Sequence, residues 1–139
     1  MKNITLYLFY SLLFLSLPSV AIENTNNIKV TKLIETDASW EKTTIIYPKG
    51  DTKITALLVE MQPQATMKMH YHEVPSFGYI LEGKITVQSE SGDIKTFSKG
   101  DVVIEMINKK HSGMNPGDII TKFIVFYMGT ENLKNTVDE

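Results

Sequence analysis

The chain predicts an all-β single domain, a barrel or sandwich of short strands. Three observations carry that expectation. Beyond the first 21 residues no segment keeps a helical period. Short apolar or alternating runs recur between turn signals such as Pro48-Lys49-Gly50-Asp51, Ser98-Lys99-Gly100-Asp101 and Asn115-Pro116-Gly117-Asp118. All three histidines fall in one stretch, with His70 and His72 at its start and His111 near its end.

The 139 residues suit one domain. Residues 1–21 read as a cleavable signal: Lys2, a mostly apolar run over 4–17, Pro18, then small residues up to Ala21. The run is short for a membrane span, which needs about 20 apolar residues. The expected product is secreted or periplasmic, and free of the membrane once cleaved. Loss of Lys2 takes the net charge from −2 to about −3, which gives no general attraction for nucleic acid or anionic lipid. There is no Cys, so neither disulfides nor thiol chemistry operate within the chain. There is no Arg, so the planar fork that grips phosphate is missing.

Residues 22–49 are expected as an N-terminal extension with one or two strands. Ile28, Val30, Leu33 and Ile34 mark the first, and residues 43–47 the second, which is expected to form a hairpin with residues 54–61. Residues 66–72 alternate, placing Lys68, His70 and His72 on one face. Strands follow over 77–81, 84–89, 94–97, 102–106 and 119–128. Residues 129–139 are expected as a polar, fraying tail. Met67, Met69, Met106 and Met114 are read as core filler, and Tyr47, Tyr79, Phe123 and Phe126 as barrel packing. Asn115 is read as fixing the turn after His111.

Two imidazoles at i and i+2 of a strand stand side by side, within reach of one metal ion. His111, arriving from a neighbouring strand, would complete a trio. The spacing resembles the cupin family. Its first motif runs Gly, five residues, His-any-His, three or four residues, Glu, six residues, Gly; here Gln64, His70, His72, Ser76 and Gly83 fill those slots. Its second runs Gly, five residues, Pro, one residue, Gly, two residues, His, three residues, Asn; here Gly100, Met106, Asn108, His111 and Asn115 fill them. The resemblance covers residues 50–128. It implies a double-stranded β-helix, a metal in the barrel mouth held by His70, His72 and His111, and a homodimer. Ser76 stands where the family has a metal-binding Glu. That argues against a four-ligand Mn-type site and for a three-His centre with open positions for dioxygen or a substrate heteroatom. Fe is the foremost ion, with Zn, Mn, Ni or Cu as alternatives. Glu73 and Glu105 are the nearest replacement carboxylates, although Glu105 is expected to be a solvated strand-end charge.

The functional expectation is an exported metal-dependent enzyme of dioxygenase type acting on a small molecule. The alternatives are a cupin that binds a metal or small ligand without turnover, or a metal-assisted isomerase or lyase. No further catalytic residue is assigned. No nucleophile elbow is present.

Overall fold

A computed structural model describes residues 27–138; the expected signal, residues 1–21, lies outside them. Among these described residues nine strands form: β1 (Thr52–Met61), β2 (His70–Tyr71), β3 (Ser76–Glu82), β4 (Lys84–Ser89), β5 (Ile94–Ser98), β6 (Val102–Ile104), β7 (His111–Met114), β8 (Thr121–Thr130) and β9 (Val137–Asp138). They make two antiparallel sheets, one in the order β1-β8-β3-β6 and the other β5-β4-β7-β2-β9. This is the double-stranded β-helix expected of the sequence. Alternating inward residues, among them Ile80, Ile85, Val87, Val103, Phe123, Val125 and Tyr127, close the core between the sheets.

Gly83 makes the β3–β4 turn possible. Its φ is +72°, and a Cβ there would meet the Thr121 Oγ1 at 2.6 Å. The family's two missing motif glycines are explained by the same backbone demand. Gln64 and Asn108 both sit in the left-handed region, at φ 62° and 55°. Asn tolerates that conformation. Gln64 is held in it by two bonds: its N–H donates to Asn115 O at 3.1 Å, and its Nε2 donates to Gly117 O at 2.8 Å.

Several expectations are corrected. Residues 28–34 and 43–47 form no strand; residues 27–49 contribute only an isolated antiparallel bridge, Ala38 with Thr44. The expected hairpin with 54–61 is absent, because β1 pairs along its whole length with β8, from Thr52 opposite Thr130 to Met61 opposite Thr121. The 38–44 loop instead lies along β6, where Trp40 N–H donates to Ile104 O at 3.0 Å. The strand over 66–72 shrinks to His70–Tyr71. Tyr47 and Phe126 are exposed rather than packed, and so is Met114 at the edge of burial.

The tail differs most. Its backbone returns to the barrel as β9, pairing Asp138 with His70 and Val137 with Tyr71. Just before it, Lys134 N–H donates to Glu73 Oε2 at 2.6 Å.

Candidate metal centre

The ladder brings the three histidines together. His70 and His111 are directly opposite on β2 and β7, the arrangement in which side chains approach most closely. His72 lies one residue beyond β2, held by a parallel bridge to Ile107. The ring centroids stand 4.6 Å apart for His70–His111, 4.9 Å for His72–His111 and 5.1 Å for His70–His72. One ring nitrogen from each lies within 4.8 Å of the other two, and all three residues are buried.

Which nitrogen faces inward follows from the hydrogen bonds. His70 Nδ1 is 2.7 Å from Lys68 O, His72 Nδ1 is 2.7 Å from Asn135 O, and His111 Nδ1 is 3.0 Å from Lys109 O. A carbonyl only accepts, so each Nδ1 carries the proton and each Nε2 keeps a bare lone pair. This is the outer-shell arrangement that fixes the tautomer of a metal-ligating His. The Nε2 of His111 is buried without a partner, a costly state for a polar atom. Three neutral rings with converging lone pairs fit a divalent cation in both donor type and number.

Electrostatics favour the same protonation. Burial, then the nearby His111, drives His72 from 6.5 down to about 3. Burial likewise lowers His111. A free cation site of neutral imidazoles is therefore ready for ligation at ordinary pH.

Glu105 corrects an expectation. It is not a solvated strand-end charge: its carboxyl is buried beside the triad, with Oε2 3.6 Å from His111 Nε2. The distance alone resembles an ion pair. Burial argues otherwise, since it raises Glu105 to about 7 against the opposing pull of His70 and of the Trp40 indole, while His111 is held neutral. The Trp40 N–H lies beside the carboxyl without completing a hydrogen bond, and Glu105 Oε2, Trp40 Nε1 and Ser76 Oγ are all buried and unpartnered. Sequence parity could not place Glu105 because Val103 and Ile104, on opposite faces, are both apolar and both buried. Glu73 is spent on the tail, and Lys68 is exposed, contributing its carbonyl rather than its ammonium.

The triad closes one end of a small cavity of about 60 Å³. Val59, Met67, Ile85, Val87, Phe123 and Val125 line its apolar remainder, with Tyr127 beside His72 at 5.4 Å between ring centroids.

The Cupin domain family profile matches residues 57–127, just over half of the chain. No curated protein matches the sequence. Among solved structures, oxalate decarboxylase from Lactobacillus farciminis, in a formate complex, is 24% identical with a TM-score of 0.53, over 61% of this chain and 26% of that one. Bacillus subtilis oxalate decarboxylase, described for its Mn(II) centres, is 26% identical with a TM-score of 0.51, over 61% and 23%. An uncharacterized conserved protein with a double-stranded β-helix domain from Klebsiella pneumoniae is 15% identical with a TM-score of 0.54, over 68% and 79%. The chain thus spans about a quarter of the length of the two decarboxylases. The motif spacing, the two-sheet barrel and the histidine cluster at its core agree with the matched profile, and the chain belongs to the cupin family.

Proposed function

We propose that this cupin is a metal-dependent enzyme of dioxygenase type that acts on a small molecule, with a divalent ion held by His70, His72 and His111. One observation carries the reading: every Nδ1–H of the trio is spent on a backbone carbonyl, so three Nε2 lone pairs converge in a buried, mostly apolar cavity. Fe is the foremost ion. Mn stands beside it, supported by the Mn(II) centres of the 26%-identical Bacillus subtilis decarboxylase.

A divalent ion there would supply Lewis-acid chemistry and, as Fe or Mn, one-electron chemistry. The chain's own residues do the rest. Carbonyls of Lys68, Lys109 and Asn135 hold the rings in one orientation. Val87, Phe123 and Val125 exclude bulk water. A cavity of about 60 Å³ admits only a few heavy atoms, far below the roughly 300 Å³ at which drug-sized pockets begin. An apolar space of this size suits dioxygen or a short substrate and rejects a large polyanion. The same small volume favours one second reading, a cupin that binds a metal or small ligand without turnover.

Elemental analysis of protein from its native compartment, joined to dioxygen uptake with small phenols and thiols, separates the readings. Fe together with uptake supports the oxygenase. A bound ion with no uptake across the set supports the binding protein. Absence of any ion, with neither uptake nor retention of the ion on Fe loading, refutes the oxygenase and the metal-binding reading alike.

Export and self-association complete the proposal. Export is supported by the sequence of residues 1–21. A homodimer is supported by the outer face of the β1-β8-β3-β6 sheet, where Ile54, Leu58 and Phe126 are exposed on one side. Contiguous apolar surface of this kind marks interfaces; a monomeric native mass would reject the dimer.

A further inference from the structure

Building on the metal-centre reading, we infer that Glu105 is a fourth protein ligand, a carboxylate that takes the place of the family's motif Glu from the opposite side of one ladder rung. Strand β3 pairs with β6 so that Phe77 faces Ile104. The next rung joins Ser76 and Glu105, where Glu105 N–H donates to Ser76 O at 3.0 Å. Residues opposite one another on a ladder share a face, with Cβ atoms about 5 Å apart. The slot that holds Glu in the family motif holds Ser76 here, short and fully buried. Its cross-strand neighbour carries the carboxylate instead. The same rung continues to Tyr127 on β8, which also lines the cavity.

The contact geometry fits shared coordination better than a hydrogen bond. His111 Nε2 has no proton to give, since its Nδ1–H goes to Lys109 O. It faces Glu105 Oε2 across 3.6 Å, and neither atom has a partner. Two lone pairs turned toward each other in a buried site repel unless a proton or a cation lies between them, and at 3.6 Å the gap is long for a hydrogen bond. Donors bound to one ion at about 2.1 Å each stand roughly 3 to 3.5 Å apart, close to the observed separation. Among the described residues lining the cavity Glu105 is the only acid, and Glu73 is committed to Lys134 N–H. A carboxylate oxygen beside three imidazoles hardens the donor set and favours Fe(II) or Mn(II) over softer ions.

The test uses Co(II) as the probe on the full chain, read by chelator competition and by the visible d–d spectrum. Glu105→Gln keeps the shape of the side chain and removes its charge. The expected result is tight binding of one Co(II) by the wild type, at least about 100-fold weaker binding by E105Q, and a changed spectrum; loss of an outer-shell partner alone costs about 10- to 100-fold. Equal affinity and an unchanged spectrum in E105Q overturn the inference while leaving the three-His centre intact. A wild type that binds no Co(II) defeats the centre itself before any substitution is made. Should E105Q not fold, infrared difference spectra of the wild type on Mn(II) addition decide the matter. A shifted carboxylate stretch supports ligation, and no carboxylate change refutes it.

Discussion

Stopping the chain at Lys134 tests how the polar tail serves the centre. The truncation removes Asn135, whose carbonyl takes the His72 Nδ1–H at 2.7 Å. It also removes β9, which pairs with both residues of β2. Two of the three rings keep their carbonyls, because Lys68 and Lys109 are untouched. The loss therefore falls on one ligand. Removal of an outer-shell partner weakens metal binding by about 10- to 100-fold, or roughly 1.4 to 2.7 kcal/mol. Stability falls less clearly with function. Two lost rungs are worth about 1 kcal/mol each, so the melting temperature of the metal-free protein drops by roughly 8 °C, at about 4 °C per kcal/mol for a domain of this size. Chelator competition for Co(II), run well below the new midpoint, measures the first effect, and thermal melts measure the second. Asn135→Ala is the control: it leaves the carbonyl in place and should keep affinity within about twofold. Affinity unchanged by truncation, or equally weakened by Asn135→Ala, would refute the claim that the tail's backbone orients His72.

Two further outcomes follow from the site and its frame. The chelated, metal-free protein loses stability as pH falls from 6.5 to 4.5. His72, held near 3, and His111, also lowered, bind fewer protons folded than unfolded, whereas Glu105, raised to about 7, binds more. His72 and Glu105 nearly cancel over this range, so the loss is the contribution of His111 and stays below about 1.4 kcal/mol per pH unit; below 4.5 the Glu105 offset disappears and the decline steepens. Urea melts across this range check the slope, and a flat or rising profile contradicts it. Asn115→Ala costs about 3 kcal/mol: the fully buried amide donates to the carbonyls of Met61, Gln62 and Ile119 and accepts from Gly117 N–H, so its removal leaves several buried groups unpaired. A loss under about 1 kcal/mol by denaturant melts would mean that water takes over those bonds.

What the sequence made legible is what sits in short-range register. His70 and His72 are two residues apart and share a face whatever the strand's length. His111 could be placed because turn signals count out the intervening hairpin, and Asn115 fixes its turn as its residue type implies. What stayed hidden depends on pairing between distant backbones. The tail carries no apolar alternation, and its role is exerted by a carbonyl and a two-residue ladder, groups that every residue possesses. The partner of β1 is β8, 60 to 78 positions on, and the hydrophobic pattern of either strand fits many partners. The left-handed backbone at Gln64 is likewise silent, in a residue type that rarely adopts it.

Glu105 joins both kinds of failure. A motif compares positions along the chain, so Ser76 reads as the loss of a ligand and nothing more. A sheet compares positions across strands, and there Ser76 and Glu105 are neighbours on one rung. A carboxylate can leave one strand and reappear on the next without leaving the site, provided that its former position shrinks. Under the proposed ligation Ser76 is small enough to leave that room, and its buried hydroxyl has no partner. Substitution at one member of such a rung is therefore interpretable only with the other in view: a larger residue at 76 should displace the Glu105 side chain even though no motif links the two positions.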